Sequence, residues 1–267
     1  MKMIGDFKKM KKTEEKITML TAYEYIAGLL AEQSGIDIIL VGDSLGMVVQ
    51  GQKTPIGVGL PDVIYHAKAV RKGAKDTFLI VDMPYMTYHL SINEAKANAA
   101  EIMIKTQANA VKIEGDSAGR IDVIRALIDC EIPVCGHIGL TPQSINMYDG
   151  YTVQAKGKKE QEKLVESAIA IDAAGAFMLV LECIPEELGK KISKEISIPV
   201  IGIGAGRFTD GQVLVWHDIL GLCEKTPKFV KQYLNLKKMI SESIKEYVSD
   251  VKECQFPEKT NVYYPMD

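Results

Sequence analysis

The sequence predicts an α/β protein folded as a single (β/α)₈ barrel, and three observations support this prediction. Eight strand-like runs alternate with helical segments along the 267 residues. No shift in composition marks a second domain, so we expect residues 1–267 to form one barrel domain, a usual size for this fold. Four of the runs read as buried strands, apolar except for Lys112 in one of them, and each delivers a carboxylate at its carboxyl end. A doubly wound sheet is the alternative, although no G-x-G-x-x-G follows the first strand.

The elements follow from apolar spacing and from residues that start or stop helices. Ser91, with Glu94 three positions later, is the signature of a helix start at residue 92. The predicted strands are 16–22, 37–41, 77–81, 110–113, 133–135, 177–181, 199–203 and 212–216. The predicted helices are 23–34, 61–72, 92–107, 120–130, 160–174 and 185–195, with a short N-terminal helix at 3–12 and a C-terminal helical extension at 227–251. We expect loops at 45–59, which is rich in glycine, and at 144–159, which is polar and would cover the mouth of the site.

Composition argues against several classes of partner. A net charge of −3 lacks the basic excess of a nucleic-acid binder, and no apolar run is long enough to span a membrane. The basic N-terminus has no apolar stretch after it, so we do not expect a secretory signal. Five cysteines without a C-x-x-C pair indicate reduced thiols in a cytoplasmic protein. Cys183 fits either a nucleophile or, the interpretation we prefer, a small packing residue.

The four carboxylates at strand ends are Asp43, Asp82, Glu114 and Glu182. The carboxyl ends of all strands in a barrel converge on one face, so these acids should share one cup with His137. Neighbouring carboxylates repel one another unless a cation or a proton neutralises them. Oxygen ligands without a Cys/His cluster suit a hard ion such as Mg²⁺. The alternative is that each acid only caps the helix that follows it.

Two other features have both a structural and a functional interpretation. Lys112 lies two residues before Glu114, so both side chains should point into the barrel. A buried lysine needs an anionic partner, which is either one of these acids or an anionic substrate. The glycine-rich segment 201–206 has the composition of a phosphate-binding turn, but we prefer a structural role that lets backbones approach closely. His137 is left open between an orienting residue and a packed one.

Taken together, the motifs resemble the ketopantoate hydroxymethyltransferase family. The most specific pair is Val41-Gly-Asp-Ser-Leu-Gly with Gly136-His-Ile-Gly-Leu-Thr-Pro-Gln. Further matching segments are Asp82-Met-Pro-Tyr-Met, Val111-Lys-Ile-Glu-Gly and Leu181-Glu-Cys-Ile-Pro. The resemblance runs in order over residues 16–225, which is most of the chain.

This resemblance implies a barrel that binds one Mg²⁺ per subunit and assembles as a homodecamer. It implies transfer of the one-carbon unit of 5,10-methylenetetrahydrofolate to 3-methyl-2-oxobutanoate, giving 2-dehydropantoate through a metal-stabilised enolate. Carried over by motif, Asp43, Asp82 and Glu114 hold the metal. Asp43, Ser44, Asp82 and Lys112 hold the keto acid, and Glu182 accepts the proton. No residues for the folate are implied.

Two rival functions remain at this stage. One is a metal-dependent lyase of the phosphoenolpyruvate mutase and isocitrate lyase type, on a related barrel with similar acids; the cysteine-containing loop motif usual there is not found in this sequence. The other is an inactive barrel kept as a binding or assembly protein. The intact set of Asp43, Asp82, Glu114 and Glu182 argues against that second function.

Overall fold

The computed structural model describes residues 1–148 and 150–265, and its contacts divide the chain into two compact units, Met1–Trp216 and His217–Asp267. The first unit contains a closed barrel of eight parallel strands in sequence order, with the last strand paired to the first. The strands are β1 Ile17–Thr21, β2 Ile38–Val41, β3 Phe78–Asp82, β4 Ala110–Glu114, β5 Val134–Gly139, β6 Met178–Glu182, β7 Val200–Ile203 and β8 Gly211–Leu214. The predicted barrel is confirmed, and the single domain over residues 1–267 stays a prediction.

Helices alternate with the strands through most of the first unit. The helices of the whole described chain, in order, are α1 Ile4–Lys12, α2 Tyr25–Gln33, α3 Leu45–Val48, α4 Leu60–Gly73, α5 Ile92–Thr106, α6 Ala118–Asp129, α7 Lys158–Ala173, α8 Glu186–Glu195, α9 Trp216–Ile219 and α10 Leu236–Lys252. Short 3₁₀ turns lie at Pro55–Gly57, Pro142–Met147 and Lys259–Asn261. The Ser91 hydroxyl accepts a hydrogen bond from the Glu94 amide at 3.1 Å, which confirms the predicted start of α5.

Several predicted boundaries are wrong. β5 continues to Gly139 instead of ending at residue 135, because it pairs with β4 as far as His137 and with β6 as far as Gly139. The 45–59 loop contains α3 and a 3₁₀ turn; a side chain at Gly46 would meet Val58 at 2.5 Å, so glycine here serves close packing within a helix. The last strand ends at Leu214, and the C-terminal helix begins at Leu236 instead of 227.

The segment predicted as the 144–159 loop begins inside a 3₁₀ turn, and α7 already starts at Lys158. Residue Asp149 of this loop lies outside the described residues, as do Met266 and Asp267 of the predicted tail. In the second unit, the main-chain amides of Tyr233 and Leu236 donate 2.8 Å hydrogen bonds to the carbonyls of Ile219 and Leu220. These bonds set the start of α10 within its own unit.

The barrel interior is apolar at the amino end and polar at the carboxyl end. Phe7 of α1 packs edge-on against Phe78 with ring centroids 5.1 Å apart, and Phe78 contacts Phe177 at 5.6 Å. This cluster fills the barrel where the strands begin. Side chains alternate along each strand, so every second residue points into the barrel. In β3 to β6 these inward rows are apolar near the amino end and polar at the carboxyl end, where they line the cup. The rows are Ile80 then Asp82, Ala110 then Lys112 then Glu114, Cys135 then His137, and Val180 then Glu182.

Candidate active site

The carboxyl end of the barrel brings together every predicted acid. Asp43, Asp82, Lys112, Glu114 and His137 are each at most 4% exposed. The side chain of Glu182 is 15% exposed, so it is the acid of the strand ends most open to a bound molecule. The convergence predicted from the strand ends is therefore present in the structure, and it includes His137.

Lys112 lies among the acids as a buried cation. Its Nζ is 3.0 Å from Oδ1 of Asp82 and 3.5 Å from Oε1 of Glu114. Burial opposes the charge on the ammonium, but Asp82, Glu114 and Asp43 outweigh it and hold the pKa of Lys112 well above its usual range. Lys112 is thus charged, and its head is already paired with protein carboxylates. The structural interpretation of the lysine is confirmed; a further role toward substrate is a proposal.

His137 links two carboxylates. Its Nδ1 lies 3.2 Å from Oε1 of Glu114, the residue opposite it in the β4–β5 register, and its Nε2 lies 3.3 Å from Oε2 of Glu182. Burial and the charge of Lys112 lower the pKa of His137, but Glu114 and Glu182 raise it overall to about 9. Burial likewise opposes the charge of Glu114, while Lys112 and His137 bring its pKa down to about 2. The imidazole is therefore a second cation in the cup, placed between Glu114 and Glu182.

Gln143 is a site residue that the sequence analysis did not single out. Its Nε2 donates to Oδ2 of Asp43 at 2.7 Å and to the Met83 carbonyl at 3.0 Å, while its main-chain amide donates to Oε2 of Glu114 at 3.0 Å. Its Oε1 accepts a hydrogen bond from the Tyr88 hydroxyl at 2.5 Å. Gln143 is the last residue of the Gly-His-Ile-Gly-Leu-Thr-Pro-Gln motif. Its place in that motif was the sequence signal that could have identified it as a site residue. Gln143 thus holds two carboxylates from different strands, Asp43 through its side-chain amide and Glu114 through its main-chain amide.

The turn after β2 is shaped by its neighbours. The Asp43 amide donates to Oδ2 of Asp82 at 3.0 Å, and the Ser44 hydroxyl lies 2.8 Å from the Tyr23 hydroxyl. A side chain at Gly42 would come within 2.9 Å of Oγ of Ser44 and 3.3 Å of Oδ2 of Asp82. Glycine at this position therefore allows the Asp43–Ser44 turn to close against Asp82.

The alternative that the acids only cap helices is wrong for the described helices. The N-cap residues of α3, α5, α6 and α8, which follow strands β2, β3, β4 and β6, are Ser44, Ser91, Ser117 and Pro185. The acids come earlier, at the strand ends, and their oxygens face one another. Helix capping therefore does not explain why these carboxylates are buried despite the free-energy cost.

A hard divalent cation fits this cup in donor type and in charge. Four carboxylates face two protein cations, Lys112 and His137, which leaves a surplus of negative charge. Burial, with the charges of Asp82 and Glu114, raises the pKa of Asp43 well above its usual range, as expected where a cation or a proton must supply the balance. Asp43 and Asp82, both buried, could supply oxygen ligands to such a cation. Among residues 1–148 and 150–265, no three His, Cys, Asp or Glu side chains already stand as a metal-coordinating group.

Cys183 and the glycine-rich segment both take the structural interpretation. Burial and the neighbouring Glu182 raise the pKa of the Cys183 thiol to about 12, so the nucleophilic thiolate is disfavoured. All five cysteines are unpaired. In the glycine-rich segment, a side chain at Gly206 would meet the Glu186 side chain at 2.4 Å, which accounts for glycine by close packing.

Comparison with known proteins identifies the family. The family model described as ketopantoate hydroxymethyltransferase matches residues 2–259. The chain belongs to this family. A 3-methyl-2-oxobutanoate hydroxymethyltransferase of Bacillus subtilis (strain 168) is 53% identical over 97% of this chain and 93% of its own length. One of Geobacillus sp. (strain WCH70) is 51% identical over 98% of this chain and 94% of its own. With relatives this similar over nearly its whole length, the chain is a hydroxymethyltransferase enzyme.

Solved structures show the same fold at low identity. A phosphonopyruvate hydrolase superposes with a TM-score of 0.65 at 10% identity, covering 100% of this chain and 92% of the other. A phosphoenolpyruvate phosphomutase from Streptomyces platensis subsp. rosaceus superposes with a TM-score of 0.63 at 13% identity, covering 94% and 88%. These likenesses show the barrel, whereas the full-length relatives show a transferase and not the rival lyase.

Across residues 1–148 and 150–265 of this chain, we find no helix with the length and apolar character needed to span a membrane.

Proposed function

We propose that the enzyme transfers a hydroxymethyl group from 5,10-methylenetetrahydrofolate to 3-methyl-2-oxobutanoate, giving 2-dehydropantoate by way of an enolate. The observation that supports this most directly is Glu182, a carboxylate at the open side of the cup whose Oε2 lies 3.3 Å from Nε2 of His137. Removal of a proton next to a ketone requires a base at the carbon and positive charge at the developing enolate oxygen, the roles we assign to Glu182 and Lys112. Family membership supplies the substrate class.

The keto acid would bind through Asp43, Ser44, Asp82 and Lys112. The Lys112 ammonium supplies positive charge for the substrate carboxylate or for the developing enolate oxygen. The Ser44 hydroxyl, positioned by Tyr23, supplies a hydrogen bond. Mg²⁺, one per subunit, would be held by Asp43 and Asp82 with Glu114, and as a Lewis acid it would polarise the keto oxygen. A solved phosphonopyruvate hydrolase of the same fold is described as a complex with oxalate and Mg²⁺, so a barrel of this kind can hold the ion.

The reaction balances with one water. Glu182 takes the proton from C3 of the keto acid, and C3 forms a bond to the one-carbon unit. Two carbon–nitrogen bonds of the donor break, and the second new bond joins the one-carbon unit to the oxygen of water. The two donor nitrogens take up the proton lost by C3, delivered through Glu182, and one proton of the water. The products are 2-dehydropantoate and tetrahydrofolate.

Deuterium exchange at C3 of 3-methyl-2-oxobutanoate, followed by NMR, tests this proposal. We expect exchange with Mg²⁺ and its loss with EDTA. Glu182→Gln should stop the exchange while keto-acid binding persists, whereas Glu187→Gln, an exposed carboxylate five residues further on, should exchange normally. Normal exchange in Glu182→Gln would exclude Glu182 as the base. If the wild type exchanges only after the folate is added, the enolate still forms, but on the ternary complex.

We also propose, from family membership, a cytoplasmic enzyme that assembles as a homodecamer. Light scattering coupled to gel filtration measures the assembly directly. A monomer or dimer at micromolar concentration would contradict the proposed decamer and leave the chemistry of the cup unaffected.

A further inference from the structure

The acid cup is charged on one side of the barrel and apolar on the other. Its charged side chains come from β3 to β6 and from the turn after β2, whereas β7 and β8 bring apolar side chains inward. Ile201 of β7 and Val213 of β8 are buried in the apolar cluster inside the barrel. Ile203, the last residue of β7, packs against that cluster and is partly exposed. Ile203 is therefore an apolar side chain at the level of the cup.

Ile203 is also the neighbour of the proposed base. It is the register partner of Glu182 in the β6–β7 pair, and both side chains point into the barrel. Neighbouring strands lie about 4.8 Å apart, so the two side chains stand next to each other. The Cys183 amide donates a 2.9 Å hydrogen bond to the Ile203 carbonyl, directly after this pair. The position of Ile203 relative to Glu182 is therefore fixed by the sheet.

The two sides of Glu182 differ in chemistry. On the β5 side, Nε2 of His137 lies 3.3 Å from the Glu182 carboxylate, within the charged part of the cup. On the β7 side, the adjacent inward side chain is the hydrocarbon of Ile203. An apolar group gains free energy against hydrocarbon, whereas it would strip water from a charged neighbour without replacing the hydrogen bonds. An apolar group bound beside Glu182 is thus favoured on the Ile203 side.

The keto acid has the same division between polar and apolar ends. Its carboxylate and keto oxygen lie at one end, and C3 carries two methyl groups at the other. Under the proposed function C3 lies at the Glu182 carboxylate, because C3 is the carbon that loses its proton. With the polar end at Lys112 and the acids, the methyl groups on C3 are left to face β7.

We propose that Ile203 determines the specificity for the keto acid, by contacting a methyl group on C3 and limiting the size of the substituents there. This inference rests on the proposed function. It defines the substrate class as 2-oxo acids whose C3 carries substituents no larger than methyl groups. A longer branch on C3 would meet the Ile203 side chain, which its own strand and the cluster beneath it hold in place.

The test compares two keto acids that differ by one methylene, 3-methyl-2-oxobutanoate and 3-methyl-2-oxopentanoate. Calorimetry with Mg²⁺ present gives a Kd for each. Ile203→Ala should shift the ratio of the two Kd values about tenfold in favour of the longer acid, the effect of one methylene in an apolar pocket. Ile203→Phe should act in the opposite direction and favour 2-oxobutanoate, which has one methyl group on C3, over 3-methyl-2-oxobutanoate by about tenfold.

Val200→Ala is the matched control, because Val200 lies on the same strand but is buried in the core outside the barrel. Its Kd ratios should equal those of the wild type. Unchanged ratios in both Ile203 variants would overturn the inference, as would an equal shift in Val200→Ala or a wild type that binds none of these acids.

Exchange at C3 in the wild type tests the proposed function separately. A wild type that binds the keto acid without exchanging C3 would contradict Glu182 as the base. The Kd ratios would still decide the inference in that case, since a shift of opposite sign in the two Ile203 variants places this residue at the C3 substituents.

Discussion

The side-chain amide of Gln143 donates a 2.7 Å hydrogen bond to Oδ2 of Asp43, a residue 100 positions earlier in the chain. The same glutamine holds Glu114 through its main-chain amide. A neutral residue in the loop after β5 thus sets the relative position of carboxylates delivered by β2 and β4. Its substitution should disturb the cup without changing any charge.

Gln143→Leu is expected to destabilise the fold by about 1–3 kcal/mol, because the Asp43 carboxylate and the Tyr88 hydroxyl both lose a buried partner. Urea unfolding measures this difference. Gln50→Leu, at an exposed glutamine, should change the free energy of unfolding by no more than about 0.5 kcal/mol. Equal effects of the two substitutions would contradict a positioning role for Gln143.

Lys112→Met should destabilise the metal-free enzyme by about 3–5 kcal/mol, because Asp82 and Glu114 would remain buried without their cation. Unfolding in urea with EDTA present checks this. Lys105→Met removes an exposed ion pair to Glu101 and should cost no more than about 0.5 kcal/mol. A Lys112 variant as stable as the Lys105 variant would mean that the acids take up protons or relax at little cost.

Gly139→Ala should slow C3 exchange about tenfold or more. Gly139 has φ of +96°, and a side chain there would lie 2.3 Å from the Glu182 carbonyl oxygen, displacing the base. Gly51→Ala is the matched control, because Gly51 also has a positive φ, +71°, but a side chain there would meet nothing within 4 Å. Both variants bear backbone strain of about 1–3 kcal/mol. Only Gly139→Ala should lose exchange; equal rates in the two variants would refute the contact with Glu182 as the cause.

His89 should make stability depend on pH in mildly acidic solution. Burial, and then the charge of Arg120, lowers the pKa of His89 to about 4, so the folded protein leaves it neutral. The unfolded chain takes up the proton near the usual pKa of about 6.5. The stability due to neutral His89 is therefore present above about pH 6.5 and is lost as the pH falls towards 4.

The measurement is the free energy of unfolding in urea of the wild type and of His89→Gln, at about four pH values per pH unit between pH 7.5 and pH 4. The wild type should lose stability relative to the variant over that interval. Parallel curves for the two proteins would show that His89 titrates alike in the folded and unfolded chains.

Much of this architecture was predictable from sequence because strands buried on both faces leave an unmistakable apolar pattern. The inward rows ending at Asp82, Glu114 and Glu182 follow from that pattern and from side-chain alternation. The end of β5 was missed because Gly136 and Gly139 are poor strand residues by themselves. Pairing with β4 and β6 at Gly136, and with β6 at Gly139, overrides their local preference.

The site was predicted less completely than the fold. The acids could be found from where strands end, but Gln143 and Tyr88 lie in loops, and a loop's path is not encoded by any periodicity. Nor could spacing reveal that His137 lies between Glu114 and Glu182, since this depends on the register of three neighbouring strands. Contacts across the barrel depend on the folded chain and not on any local sequence pattern.

The Phe7 cluster blocks the amino end of the barrel. Phe7, Phe78 and Phe177 pack together where the strands begin, so small molecules would reach the carboxylates from the carboxyl ends of the strands. Under the proposed function, both substrates would enter and both products would leave through that same face, so a bound product there would compete with the next substrate.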